Sequence, residues 1–152
     1  MRLIIPIKQF TFIMTWLVLQ PAIAAYPFDS FADVVAHDPW IREAPPSIRV
    51  LAGYVRLENK TDYDIRFVNA TSPAFMDIEI HKISIHNGVA QMEHISHVLI
   101  PAYKTVQLDP GGFHLMMMGA KRRMKAGDKI PVKLFFSKGS PVSVQMVVKK
   151  SF

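Results

Sequence analysis

Short segments rich in β-branched and apolar residues follow one another along this chain, and turn-forming residues separate each from the next. The segments cover residues 50–57, 65–71, 76–84, 89–95, 105–108, 113–118, 130–136 and 142–148. The breaks between them contain pairs such as Asn87-Gly88 and Pro110-Gly111, which are typical of tight turns. No stretch has a convincing helical period. Short strands at this spacing predict an all-β sandwich or barrel.

The first 24 residues have the pattern of a cleavable signal peptide. Arg2 and Lys8 supply positive charge, an apolar run of ten residues follows, and Ala22-Ile23-Ala24 matches a cleavage site. The apolar run is short for a bilayer-spanning helix, which needs about 20 residues. We therefore expect an exported protein without stable membrane insertion, and an uncleaved anchor is the less favoured alternative.

The remaining sequence has the size of one domain. Region 25–46 carries four prolines, and we expect an irregular N-terminal lead-in there. A single β-sandwich domain is expected over residues 47–152.

The chain has no cysteine, which excludes disulfides, zinc fingers, catalytic thiols and a blue-copper site. Its eighteen Lys and Arg residues exceed its twelve Asp and Glu residues, giving a net charge of +6. An exported protein is not expected to meet nucleic acid, and no aromatic residues interleave with the basic run 121–125. That run is expected to be a solvated turn, and docking onto an acidic partner is the alternative. No nucleophile-elbow motif is present, so we expect no enzymatic activity.

Strand alternation places four donor side chains opposite apolar faces. His114 and Met116 share the face of their strand that points away from its core-like residues, which include Met117. His81 and Met92 each lie on the face of their own strand that is opposite its apolar residues. The apolar phase also changes after residue 82, which predicts a β-bulge near that position.

Two imidazoles and two thioethers, with no carboxylate, suit Cu(I) better than Mg²⁺, Ca²⁺ or Zn²⁺. Thioethers bind copper without adding charge, and such a site is open to ligand exchange. This donor set therefore indicates a carrier of Cu(I).

The four donors have a distinctive spacing. Ten residues separate His81 from Met92, twenty-one separate Met92 from His114, and one separates His114 from Met116. This spacing resembles the motif of the periplasmic copper chaperone family PCuAC. The stretch 109–119 (DPGGFHLMMMG) and the pair Pro45-Pro46 after Trp40-Ile41-Arg42 are also similar to that family.

The resemblance implies a cupredoxin-like Greek-key β-sandwich located in the periplasm. It implies one Cu(I) per chain, bound near the surface by His81, Met92, His114 and Met116. It also implies delivery of copper to another exported or membrane protein, such as subunit II of cytochrome c oxidase with its binuclear copper site, or to another copper chaperone. The alternatives are a copper buffering or resistance protein and a metal-free β-sandwich interaction module.

Three further histidines, His86, His94 and His97, leave two interpretations open. We expect them in a turn and on an exposed face, without a ligand role. The alternative is that they form a weaker Cu(II) or Zn²⁺ site.

Overall fold

Ten β-strands make up the computed structural model, which describes residues 33–150. The predicted signal peptide, residues 1–24, lies outside the described residues. The strands are β1 (Val34–Arg42), β2 (Leu51–Asn59), β3 (Ile65–Thr71), β4 (Asp77–His86), β5 (Val89–His94), β6 (Val98–Ile100), β7 (Thr105–Leu108), β8 (Phe113–Met118), β9 (Lys129–Phe136) and β10 (Val142–Lys149). Within this part of the chain, no helix is long and apolar enough to cross a bilayer.

The ten strands form one continuous hydrogen-bonded sheet in the order β5-β4-β8-β7-β2-β1-β10-β9-β3-β6, with β8 also paired to β2. Buried side chains from β4, such as Ile78 and Ile80, belong to the same core as Phe67 of β3 and Ile100 of β6. Strands from both ends of the sheet therefore cover one core, and the sheet folds over on itself into two layers. The predicted all-β, cupredoxin-like sandwich is confirmed.

The irregular lead-in predicted over 25–46 is wrong where the structure describes it, because β1 occupies 34–42 and pairs with β2 and β10. The pairing of β1 with β2 shifts register between His37 and Trp40, and Asp38 there has a φ of 49°. A bulge of this kind accommodates Pro39, which has no N–H to donate to a ladder. Pro39, one of the prolines that suggested irregular chain, therefore lies within a strand.

Alternation in β8 divides its side chains between the core and the outer face. Leu115 and Met117 are fully buried, as predicted for Met117. Gly53 of β2 lets β8 approach closely, because a Cβ at Gly53 would lie 2.9 Å from the sulfur of Met117. Because side chains alternate along β8, His114 and Met116 lie on the face opposite to Leu115 and Met117.

The bulge predicted near residue 82 is wrong. The register of β4 runs without interruption from 77 to 82 against β8 and from 81 to 86 against β5. Beyond Lys82, β4 pairs only with β5, so the hairpin extends past the core. Ile83 and Ile85 therefore lie on the outer face without a kink, and Ile85 is 75% exposed.

Candidate metal centre

Three adjacent strands, β5, β4 and β8, bring histidines together on the outer face of the sheet. His81 of β4 lies directly opposite His94 of β5 and directly opposite His114 of β8. Directly opposed residues in antiparallel strands share a face. The ring centroid of His81 is 5.8 Å from that of His94 and 5.9 Å from that of His114. A row of three imidazoles thus crosses the three strands.

The two predicted methionine ligands lie on the same face, on either side of this row. Met116 is opposite Glu79, and Met92 is opposite Ile83. Each methionine is a diagonal neighbour of His81, a relationship that separates Cα atoms by about 7–8 Å and that long side chains can bridge. The structure therefore brings His81, His114 and Met116 together, whereas Met92 lies on the far side of His81, two strands from Met116.

The turn between β4 and β5 determines which residue of β5 faces His81. Asn87 and Gly88 have φ values of 52° and 78°, as a two-residue type I′ hairpin turn requires. The turn pairs His86 with Val89, and the ladder then places His94 opposite His81. Met92, two residues before His94, then lies diagonally across from His81.

Burial differs sharply across the site. His114 is only 5% exposed and the side chain of His81 is 12% exposed, while Met116 is half-buried. Met92 is 56% exposed and His94 is also exposed. Both belong to β5, which is the edge strand of the sheet. The site thus has a buried inner part on β4 and β8 and an open outer part on β5.

Hydrogen bonds leave one ring nitrogen free on each buried histidine. Nε2 of His81 is 2.8 Å from Oε2 of Glu79 and donates to it, because a carboxylate can only accept. Nδ1 of His81 is buried and has no hydrogen-bond partner among the described residues. Nδ1 of His114 donates to the carbonyl oxygen of Gly112 at 3.3 Å, so its Nε2 keeps the lone pair. Each ring therefore keeps one unprotonated nitrogen that could serve as a metal donor.

The electrostatics of His114 favour the form that binds metals. Burial lowers the pKa of His114 below its usual value, and the nearby His81 lowers this pKa further. The hydrogen bond to Gly112 opposes this shift and is the weaker influence compared with burial. His114 therefore stays neutral, as a metal ligand must, at a lower pH than an exposed histidine would.

The donor set does not suit a hard cation. Among residues 33–150, no three His, Asp or Glu side chains are grouped so that they could hold a metal ion. The thioethers of Met92 and Met116 lie on the same face as the imidazoles and offer soft sulfur donors beside them. This chemistry fits copper and does not fit Mg²⁺ or Ca²⁺.

The three additional histidines do not form a site of their own. His86 lies on the opposite face of β4 from His81, and the exposed His97 has its Nδ1 3.0 Å from the hydroxyl of Ser96. His94 instead joins His81 and His114. His94 lies on an exposed face, as predicted, and counting residue pairs from the Asn87-Gly88 turn places it opposite His81.

The basic run 121–125 directly follows β8 and the glycine turn after it. Its Lys and Arg side chains are exposed, and Arg122 forms an ion pair with Asp128 at 2.7 Å. Met124 is buried and anchors the turn in the core. The run is solvent-exposed as predicted, and docking onto an acidic partner stays a prediction.

Solved structures with this fold define the class of protein. The copper-bound PCuAC domain from PmoF2 superposes with a TM-score of 0.68 at 18% identity, over 79% of this chain and 95% of that domain. The solution structure of CuI-DR1885 from Deinococcus radiodurans has a TM-score of 0.62 at 32% identity, over 80% of this chain and 79% of that protein. The fold is therefore that of PCuAC domains, and the resemblance seen in the sequence is confirmed.

The chain belongs to the LpqE-like family, described as "Putative lipoprotein LpqE-like", which it matches over residues 34–148. It is 35% identical over 130 residues to "Putative lipoprotein Lxx21020" of Leifsonia xyli subsp. xyli, covering 85% of this chain and 77% of the relative. It is 29% identical over 126 residues to the uncharacterized protein RP573 of Rickettsia prowazekii, covering 77% of this chain and 68% of that relative.

Proposed function

We propose that this protein is a periplasmic copper chaperone that carries one Cu(I) ion, bound by His81, Met92, His114 and Met116. Copper is its cargo, and no catalytic step is involved. The observation that carries the proposal is the juxtaposition of His81 and His114, whose ring centroids are 5.9 Å apart with Met116 beside them on the same face.

The chemistry of the donors supports this assignment. Imidazole nitrogens and thioether sulfurs suit Cu(I) and disfavour harder ions. The free Nδ1 of His81 and the free Nε2 of His114 supply two nitrogen donors, and Met116 supplies a half-buried sulfur. The exposed Met92 completes the set from the edge strand.

The gradient of burial supports a carrier. A partner can approach Met92 on β5 and replace its sulfur first, while His114 and Met116 still hold the ion. Stepwise replacement of this kind avoids releasing a free ion. The acceptor is another exported or membrane copper protein, such as subunit II of cytochrome c oxidase, or a further copper chaperone.

Export is consistent with the leader at residues 1–24 and with the lipoprotein names of the family and of the Leifsonia relative. This chain contains no cysteine that could carry a lipid.

Competition for Cu(I) against a chromophoric chelator tests the binding. A double variant, His114→Ala with Met116→Ala, should lose affinity by more than about a hundredfold, because two of four ligands are removed. The matched control changes His97 and Met76 to Ala, since both are exposed and lie outside the site. Equal Cu(I) affinity of the site variant and the wild type would refute the proposal and favour a metal-free interaction module. X-ray absorption of the loaded protein should count two sulfur and two nitrogen neighbours.

Delivery is separated from buffering by a cell that lacks the protein. Loss of cytochrome c oxidase assembly at low copper, restored by wild type and not by the site variant, supports delivery. Sensitivity to excess copper with normal oxidase would instead identify a buffering or resistance protein.

A further inference from the structure

We infer that His94 is an additional ligand that lets the same site hold Cu(II), and that it contributes little to binding Cu(I). This inference rests on the proposed copper site and extends it to the second oxidation state. His94 lies directly opposite His81 on the edge strand, at the position a ligand from β5 would need.

The spacing of the rings allows a shared ion. With metal–nitrogen bonds of about 2.0 Å, two imidazoles bound to one ion can have centroids up to about 6 Å apart. The His81–His94 and His81–His114 distances of 5.8 Å and 5.9 Å both satisfy this limit. The three rings are not grouped closely enough to hold an ion as they stand, so binding requires rotation of a side chain. His94 is exposed and on an edge strand, where such a rotation is unhindered by the core.

The donor chemistry separates the two oxidation states. Cu(II) prefers nitrogen and oxygen donors in a tetragonal arrangement, whereas thioethers suit Cu(I). His81, His94 and His114 offer three nitrogens, and the carboxylate of Glu79 accepts the Nε2–H of His81 at 2.8 Å, which leaves the Nδ1 of His81 as its donor. Met92 and Met116 are the ligands that Cu(II) would relinquish. His81 and His114 thus bind both ions. The two methionines complete the ligand set for Cu(I), and His94 completes the ligand set for Cu(II).

Binding of Cu(II) to the purified protein tests this inference. Copper sulfate is titrated with glycine as competitor, and electron paramagnetic resonance counts the nitrogen ligands from their hyperfine splitting. His94→Ala should reduce Cu(II) affinity at least about tenfold and remove one nitrogen from the spectrum. The matched control is His97→Ala, an exposed histidine outside the site, which should behave as wild type. The Cu(I) affinity of His94→Ala should stay within about threefold of wild type.

The possible results are distinguishable. An unchanged Cu(II) spectrum and affinity in His94→Ala would overturn the inference and leave the Cu(I) proposal intact. An equal loss of affinity for Cu(I) and Cu(II) in His94→Ala would also overturn the inference, because His94 would then be a ligand in both oxidation states. Failure of the wild type to bind Cu(I) would refute the proposed function, and that measurement does not depend on His94.

Discussion

Glu79 and His81 are joined by a hydrogen bond of 2.8 Å, and both residues lie on the outer face of β4. Because the carboxylate only accepts, Nε2 of His81 carries the proton and Nδ1 carries the lone pair. That Nδ1 is the buried nitrogen without a partner among the described residues. The pair therefore has the arrangement by which a carboxylate orients a metal-binding histidine.

Substitution of Glu79 should weaken Cu(I) binding without removing a ligand. Glu79→Ala should lower Cu(I) affinity about tenfold to a hundredfold, as is typical when a partner of this kind is lost. Glu79→Gln keeps an acceptor oxygen and should lose less Cu(I) affinity than Glu79→Ala. The measurement is competition with a Cu(I) chelator, and Glu93→Ala is the control because Glu93 lies on the opposite face of the β4–β5 hairpin. Equal affinities for Glu79→Ala and Glu93→Ala would contradict an orienting role.

Burial of His114 should make the metal-free protein less stable in acid. Its pKa in the folded state is below the usual value of about 6.5. Below that pH the unfolded chain binds more protons at this residue than the folded chain does. The free energy of unfolding should therefore fall as the pH drops below about 6.5. The part of the stability that depends on a neutral His114 is fully present only above that pH.

Urea unfolding at pH 7.5 and pH 5 measures this effect. The difference in unfolding free energy between the two pH values should be smaller in His114→Gln than in wild type, because the variant cannot titrate at this position. His86→Gln is the control, since His86 is exposed and lies on the opposite face of β4 from His81. An identical pH dependence in wild type and His114→Gln would show that His114 does not contribute.

Alternation and turn residues made most of the strands predictable, because both signals are local. Predicted segments 65–71, 105–108 and 113–118 coincide with β3, β7 and β8. Two strands were not predicted: β6, which has only three residues, and β1, whose proline lies at a bulge. Neither carries an uninterrupted alternating pattern long enough to stand out.

The site could be predicted only in part, for a related reason. Strand parity places His81, His114 and Met116 outside the core, but parity does not say which strands are neighbours. The pairing of β4 with β8 joins His81 to His114, 33 positions further along the chain, and has no local signal. The pairing of β4 with β5 does have one, since the Asn87-Gly88 turn sets its register. The placement of His94 was thus available from the sequence, and that of His114 beside His81 was not.

Bound Cu(I) should protect the site methionines from oxidation. A sulfur that donates to copper is less available to peroxide, and conversion to the sulfoxide should weaken Cu(I) binding. Met92 is 56% exposed, so without copper it should oxidise early, and with Cu(I) its oxidation should slow severalfold. Peptide mass spectrometry after brief peroxide treatment measures each methionine separately.

Two methionines in the same chain serve as controls for this experiment. Met76 is 80% exposed and should oxidise at the same rate with or without copper, while the fully buried Met117 should resist in both cases. Equal oxidation of Met92 in the presence and absence of Cu(I) would remove it from the ligand set.

The buried amide of Asn59 should be a major contributor to stability, well apart from the copper ligands. Its Nδ2 donates to the carbonyl oxygens of Tyr63, Ile100 and Pro101 at 2.7, 3.1 and 3.2 Å. Its Oδ1 accepts from the backbone N–H of Thr61 at 2.9 Å and from the hydroxyl of the same residue at 2.7 Å. The side chain is 1% exposed and ties the end of β2 to β6. Asn59→Ala should lower the free energy of unfolding by about 2–3 kcal/mol, because buried partners lose their hydrogen bonds.

Urea unfolding of the metal-free protein at pH 7.5 measures this loss. The control is Asn69→Ala, because Asn69 is exposed and its Oδ1 accepts only from the neighbouring N–H of Ala70 in the described contacts. That variant should stay within about 0.5 kcal/mol of wild type. Since Asn59 does not touch the outer face of β4 and β8, folded Asn59→Ala should bind Cu(I) as tightly as wild type. A stability loss below about 1 kcal/mol would mean that water replaces the amide and that β6 is held by its pairing with β3 and by its packing.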